Sequence, residues 1–197
     1  MLELEGFILT GGASRRMGTD KAALDLGGRR FLERIAQQLA RATQSVTTVG
    51  AKQSVGQLPN VTDVYAEWGA LGGLHAALAA CRAEWAAVVA CDLPFVTGEL
   101  FVRLALLREN FDVVIPVQPD GRVQPLCALY RKTACLPVAQ MLIETGERRL
   151  RALLEHTRTR RVAPHELAGL PGAHLFFTNV NTPEDYERAR KAVMSDE

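Results

Sequence analysis

An apolar run at residues 2–9 (LELEGFIL) stops at Gly11-Gly12, and the chain then supplies Arg15, Arg16 and Lys21. A strand that ends in paired glycines lets the backbone come close to a ligand. Successive amides in such a turn form an anion-binding concavity. Guanidinium and ammonium groups placed just after it suit a triphosphate. Two familiar phosphate loops do not fit. A Walker A loop requires G-x-x-x-x-G-K-[ST], but five residues separate Gly12 from Gly18 and Thr19-Asp20 precedes the lysine. The dinucleotide pattern G-x-G-x-x-G is not supplied by Gly11-Gly12-Ala13. The plainer alternative, a turn before a solvated basic helix start, leaves the combination of glycines and cations unexplained.

Beyond this loop, helix and strand patterns alternate. Phe31, Ile35, Leu39 and Ala42 recur at helical spacing over 30–42, and 45–50 (SVTTVG) is a short β-branched strand followed by an extended piece at 61–65. Residues 71–83 read as a buried Ala- and Leu-rich helix, and 85–90 (WAAVVA) as a strand from the middle of a parallel sheet. A helix is expected over 99–109, strands at 112–117 and 124–130, and helices at 133–145 and 147–156 divided at Gly146. Residues 159–163 (TRRVA) and 174–180 (HLFFTNV) are strand candidates. The chain closes in a helix from Pro183 to about Val193, capped by Thr182, with Glu184 and Asp185 at its positive end. This order predicts an α/β fold, a three-layer α/β/α sandwich with a mostly parallel, Rossmann-like central sheet, in one domain over residues 1–197.

The formal net charge of +1 gives no sign of a nucleic-acid or membrane partner, either of which usually shows as a basic excess. The first residues lack a basic start and no long apolar stretch follows, so a soluble, cytoplasmic protein is expected. Cys81, Cys91, Cys127 and Cys135 lie in apolar surroundings without C-x-x-C pairing and read as reduced core residues. His75, His156, His165 and His174 are scattered and receive no catalytic role.

Cys91-Asp92-Leu93-Pro94 follows the strand WAAVVA, and ligands in open α/β sheets sit outside the carboxyl ends of strands. Asp92 is therefore a candidate ligand for Mg²⁺, a hard cation that shares oxygen ligands with phosphates; from position alone a turn-opening cap serves equally well. Asp63 stands before the glycine-bearing run Gly69-Ala70-Leu71-Gly72-Gly73, where a surface turn is the ordinary reading. Asn179 and Asn181, two residues apart on an extended segment, face one side and suit a metal or phosphate. Arg148, Arg149, Arg151, Arg158, Arg160 and Arg161 crowd a short region, either a solvated face or a surface for an anion.

Leu9-Thr10-Gly11-Gly12-Ala13-Ser14-Arg15-Arg16-Met17-Gly18-Thr19-Asp20-Lys21 resembles the signature of nucleotidyltransferases with a pyrophosphorylase-like fold, especially the MobA-type molybdenum cofactor guanylyltransferases. Asp92-Leu93-Pro94, Gln124-Pro125-Leu126-Cys127-Ala128-Leu129, Gly146-Glu147-Arg148-Arg149 and Asn179-Val180-Asn181-Thr182-Pro183-Glu184-Asp185 resemble further segments of those enzymes, from the first strand to the last helix. The chain departs from the pattern at Ala70, where proline is usual, and at Val49-Gly50-Ala51-Lys52, where asparagine is common. The resemblance implies a nucleotide-diphospho-sugar transferase fold and an Mg²⁺-dependent enzyme that transfers GMP from GTP to the phosphate of molybdenum-bound molybdopterin. It implies Arg16 and Lys21 on the phosphates and Leu9, Thr10, Gly11, Gly12 and Asp63 on the nucleotide. Asp92 would hold the metal and touch the nucleotide. Arg148 and Arg149 would meet the anionic acceptor, and transient contact with a molybdenum-insertion enzyme and with molybdoenzymes is implied in the same way. Alternatives of the same fold are a cytidylyltransferase and a sugar-phosphate nucleotidyltransferase, and from another class a non-catalytic nucleotide-binding module.

Overall fold

A seven-stranded sheet organises the protein, and the computed structural model describes residues 3–10, 24–51 and 57–195. The strands are β1 (Leu4–Leu9), β2 (Val46–Val49), β3 (Asn60–Val61), β4 (Trp85–Ala90), β5 (Val113–Pro116), β6 (Cys127–Arg131) and β7 (Thr159–Val162). Their order across the sheet is β3-β2-β1-β4-β6-β5-β7. Every pairing is parallel except those of β6, which runs antiparallel to both β4 and β5. The helices are α1 (Phe31–Ala40), α2 (Ala70–Ala80), α3 (Gly98–Leu106), α4 (Lys132–Glu144), the short α5 (Pro164–Leu167) and α6 (Pro183–Ser195).

Alternation along the strands builds two large cores, one on each face of the sheet. From β4, Trp85, Ala87 and Val89 join Leu4 and Ile8 of β1 beneath α1 and α3. The intervening Ala86 and Val88 join Phe7 and Leu9 on the opposite face, under α2 and α4. All six residues of β4 are buried, as a strand flanked on both faces must be. Helix α1 is amphipathic: Phe31, Leu32, Ile35, Ala36 and Leu39 face inward. Helix α2 is apolar nearly all round, because it packs on the sheet and is flanked by α4 in the same layer. The expected three-layer sandwich is thus the architecture found. Among the described residues, no helix is long and apolar enough to cross a membrane.

Three expectations need correction. Residues 174–180 form no strand. Gly172 has φ 71°, the N–H of Leu175 donates to the Gly172 carbonyl (2.9 Å), and that of Thr178 to Leu175 (2.9 Å), so the segment coils through turns and buries Phe176. The apolar pair Phe176-Phe177 serves a coiled cover over the core instead of a ladder. Within 147–156 only a 3₁₀ stretch, Leu150–Glu155, forms, because the Glu147 carboxylate accepts the Arg149 N–H (2.7 Å) and its guanidinium before any α-helical turn closes. Strand β6 starts at Cys127 and not at Gln124, whose carbonyl accepts the Cys127 N–H in a turn (3.1 Å).

Burial pushes the thiols of Cys81 and Cys135 up to about 12, in keeping with core cysteines. Asp112, before β5, is 8% exposed and accepts from the Arg158 backbone N–H (3.1 Å), Nε (3.0 Å) and Nη2 (2.9 Å). The side-chain hydrogen bonds from Arg158 hold its carboxyl below the ordinary 3.8. A depressed folded value means that the stabilisation is present above the unfolded value and is lost as pH falls through the folded one. Asp112→Asn is expected to cost about 1–2 kcal/mol at pH 7, discounted because Arg158 is largely solvated. That corresponds to a few degrees in a thermal melt, and the gap to the parent should narrow as pH falls below the ordinary carboxylate value of 3.8, the direction a depressed folded value requires.

Candidate functional site

Because β6 is reversed, the other six strands run the same way and share one carboxyl edge. At that edge β1 is tied to its neighbours. The Thr10 N–H and hydroxyl both donate to the Val49 carbonyl (3.0 and 2.8 Å), and the Leu9 carbonyl accepts the Cys91 N–H (3.1 Å). The backbone leaving β1 is therefore fixed just where the glycine-rich loop begins. Gly11, Gly12, Arg16 and Lys21 lie outside the described residues.

Asp92 follows β4 by two residues and is half-buried. Its carbonyl accepts the Val180 N–H (3.0 Å), which brings the segment carrying Asn179 and Asn181 against the end of β4. Val180 is fully buried, Asn179 exposed and Asn181 half-buried. The Asp185 carboxylate accepts the N–H groups of Asn181 (3.0 Å) and Thr182 (2.9 Å), while the Thr182 hydroxyl accepts the Asp185 N–H (3.1 Å). This reciprocal cap fixes the start of α6, with Thr182 in the expected role. The Asn181 N–H holds the Asp185 carboxyl below the ordinary carboxylate value.

Asp63 lies after β3 on the other flank. Its Oδ1 accepts the Tyr65 N–H (2.9 Å), yet burial outweighs that bond and the nearby His75 and pushes its carboxyl upward. His75 of α2 meets the Tyr65 ring edge-on (5.0 Å, 84°), and its Nδ1 is buried without a hydrogen-bond partner among the described residues. Gly72 makes this packing possible: a Cβ there would lie 2.1 Å from the Tyr65 carbonyl oxygen and 3.1 Å from Asp63 Oδ1. Ala70 opens α2, a first-turn position where proline is well accommodated, so the departure from the common pattern leaves the helix start unaltered. Asn60 of β3 grips Ala51, accepting its N–H (3.2 Å) and donating to its carbonyl (3.2 Å), which fixes the turn after β2.

The basic stretch is largely committed to internal contacts. Arg149 pairs with Glu147 and draws its carboxyl down to about 2; Arg158 pairs with Asp112 and Arg160 with Glu166. The Arg148 guanidinium lies 5.1 Å from the Trp68 ring centroid, and its Nη1 donates to the Glu67 carbonyl (3.2 Å). On the other side of Asp92, a cavity of about 460 Å³ lies beyond β5 and β7, lined by Val117, Pro119, Leu167, His174, Phe177 and Thr178. Sequence reasoning had not found the crowding at Gly72, the Thr10 hydroxyl or this cavity. Only the glycine pair inside an otherwise apolar helix was a visible signal.

A mostly parallel sheet whose carboxyl edge joins a glycine-rich loop, an aspartate after the central strand and a paired-asparagine segment is the frame of a nucleotide-binding α/β protein. The chain belongs to the MobA-like NTP transferase domain family, whose model matches residues 6–162, and it is a nucleotidyltransferase. It is 34% identical over 193 residues to the "Probable molybdenum cofactor guanylyltransferase" of Pelotomaculum thermopropionicum, covering 96% of this chain and 93% of the relative. It is 30% identical over 194 residues to the molybdenum cofactor guanylyltransferase of Desulfosudis oleivorans, covering 95% of each. In fold it is similar to the molybdopterin-guanine dinucleotide biosynthesis protein A of Archaeoglobus fulgidus (TM-score 0.82, 24% identity, 97% of this chain and 99% of that one). The 2-C-methyl-D-erythritol 4-phosphate cytidylyltransferase of Thermus thermophilus shares the fold (TM-score 0.69, 17% identity, 95% and 98%).

Proposed function

We propose that this protein transfers GMP from GTP to the phosphate of molybdenum-bound molybdopterin and releases pyrophosphate, in the cytoplasm. The observation that carries this reading is the convergence at one sheet edge of Leu9, Thr10, Asp92 and the 179–181 segment, in a chain 30–34% identical to guanylyltransferases over nearly its whole length. A nucleotide would lie along that edge. Asp63 follows β3 and Asp92 follows β4, three strand positions apart. At ordinary strand spacing that is about 14 Å, a length suited to a nucleotide with its triphosphate toward Asp92.

In this reaction an oxygen of the acceptor phosphate attacks the α-phosphorus, and the bond from the α-phosphorus to the bridging oxygen of pyrophosphate breaks. The attacking oxygen already carries negative charge, so no general base is needed. The protein's work is to align the two substrates and to neutralise the leaving group. Arg16 and Lys21 would serve the leaving pyrophosphate. Asp92, with Asn181 beside it, would hold Mg²⁺, which when bound neutralises phosphate charge. The donor set fits such an ion. Among the described residues no group of three or more His, Cys, Asp or Glu side chains forms a metal cage. Mg²⁺ in nucleotide sites ordinarily needs only one or two protein carboxylates beside phosphates and water. The cavity beyond β5 and β7 is the better candidate for the acceptor's ring system, since its apolar walls suit a fused heterocycle and Thr178 leads directly to Val180 and Asp92.

Pyrophosphate release from each nucleoside triphosphate, with Mg²⁺ and a molybdopterin acceptor, tests the reading. At least a tenfold preference for GTP over CTP is expected, about 1.4 kcal/mol of discrimination. A preference for CTP would move the protein to the cytidylyl class. Silence with every triphosphate would defeat the proposed reaction.

A further inference from the structure

A third, small core lies apart from the two beneath and above the sheet. Leu26, Phe31, Val180 and Ala189 are buried in it, with Leu24, Phe95 and Tyr186 packed against them. These residues come from distant parts of the chain that meet at the proposed site. Leu24 and Leu26 follow the glycine-rich loop, Phe95 follows Asp92 by three residues, Val180 sits between the two asparagines, and the remainder belong to α1 and α6. Helix α6 lies close on the turn at 25–30, where a Cβ at Gly27 (φ 63°) would lie 2.9 Å from Val193 Cγ1. That turn is closed by Leu26 N–H to the Arg29 carbonyl (2.7 Å) and Phe31 N–H to the Leu24 carbonyl (3.0 Å).

Two polar ties of this assembly come from consecutive residues in the first turn of α6, beside the Arg34 Nη1 donation to the Leu26 carbonyl (3.2 Å). Asp185 receives the Asn181 and Thr182 N–H groups, as described above. Tyr186 donates its hydroxyl to the Asp25 carbonyl (2.5 Å), with its ring 6.1 Å from that of Phe31. Asp25 is four residues past Lys21 in the chain. The hydroxyl thus bonds the backbone leaving the loop to the same helical turn that holds Asn181, and Val180 holds the Asp92 carbonyl.

We propose that the first turn of α6 clamps the nucleotide site, with Tyr186 as a positioning residue whose hydroxyl fixes the chain leaving the glycine-rich loop relative to Asp92 and Asn181. This inference rests on the nucleotidyltransferase reading of that site. Tyr186 touches neither nucleotide nor acceptor in this arrangement, and acts through the Asp25 backbone. The apolar contacts of its ring supply stability, while the hydroxyl supplies register, so the two can be separated by experiment.

Tyr186→Phe keeps the ring and removes the hydroxyl. The dissociation constant of a fluorescent GTP analogue with Mg²⁺ should rise about fivefold, the effect of one neutral hydrogen bond. The amides of Leu26 and Phe31 should lose hydrogen-exchange protection by a similar factor, while the melting temperature falls by no more than about 4 °C. Arg190→Ala is the companion variant. Its guanidinium lies over the outer side of Tyr186 (6.0 Å from the ring centroid) and leaves the hydroxyl bond in place, so GTP affinity should stay within twofold of the parent. Equal affinity in Tyr186→Phe and the parent would overturn the inference, as would an Arg190→Ala loss as large as that of Tyr186→Phe. Failure of the parent itself to bind GTP would instead overturn the reading of the site, and this inference with it.

Discussion

Alanine at Asp92 is expected to lower pyrophosphate release about a thousandfold at saturating GTP and acceptor, while the melting temperature stays within about 2 °C of the parent. The size of the effect follows from the chemistry. Three negatively charged groups, the acceptor phosphate, the α-phosphate and the leaving pyrophosphate, must be brought together with little acid–base work to share. Removing a single preorganised charge-stabilising group commonly costs a hundred- to a thousandfold, and Asp92 would hold the ion that serves several of these oxygens. The small effect on stability follows from the local structure. The tie between the end of β4 and the 179–181 segment runs through the Asp92 carbonyl, a backbone group that alanine retains. The two neighbours that follow, Leu93 and Pro94, are buried and keep their packing in the variant. Loss of turnover with an unchanged melt assigns the carboxylate to the reaction. Turnover within tenfold of the parent would remove Asp92 from the mechanism.

Much of this arrangement is legible in the sequence where a pattern is local. WAAVVA marks β4 because a strand covered on both faces has no polar residue to alternate with, and all six positions are buried. Thr182, Pro183 and Asp185 announce the start of α6 because capping is settled within four residues. Phe176-Phe177 misled because apolar residues in a coiled cover over the core satisfy the same burial as those in a strand, and only the turn bonds around Gly172 tell the two apart. The reversed direction of β6 has no signature of its own, since its residues are buried whichever way the strand runs.

The site divides along the same line. Asp92 and the asparagine pair were visible as sequence features, but their backbone connection through Val180 links positions far apart in the chain and appears only on folding. The arginine run illustrates the converse. Six like charges suggest an anion surface, yet the partners of Arg149, Arg158 and Arg160 are carboxylates at Glu147, Asp112 and Glu166. The clamp at Tyr186 could not be read from sequence at all, because its acceptor is a backbone carbonyl with no side-chain identity to recognise.

Gly72→Ala tests the other flank of the site, and its sign runs against the usual expectation. Within a helix, alanine for glycine ordinarily gains about 1 kcal/mol. At this position the new Cβ would lie 2.1 Å from the Tyr65 carbonyl oxygen and 2.9 Å from its carbon, so backbone must move. Tyr65 has little freedom to yield: its N–H donates to Asp63 Oδ1 (2.9 Å) and its carbonyl accepts the Trp68 N–H (2.8 Å). Overpacking of this kind typically costs 1–3 kcal/mol, and two hydrogen bonds are strained with it, so a net loss of about 2 kcal/mol is expected after the helical gain. For a chain of this size that is a fall of about 4–8 °C in melting temperature. Because the displaced segment carries Asp63, the KM for GTP should rise tenfold or more with a smaller change in kcat. Gly73→Ala supplies the contrast. Its Cβ would meet Leu9 Cδ1 at 3.2 Å, a contact too close by a few tenths of an ångström with one methyl group and no backbone, so the helical propensity gain should offset the strain and leave stability close to the parent's. If both alanines behave alike, the Tyr65–Gly72 contact does not set the position of Asp63. If only Gly72→Ala weakens GTP, the close approach of α2 to the Asp63 turn is what shapes the nucleotide end of the site.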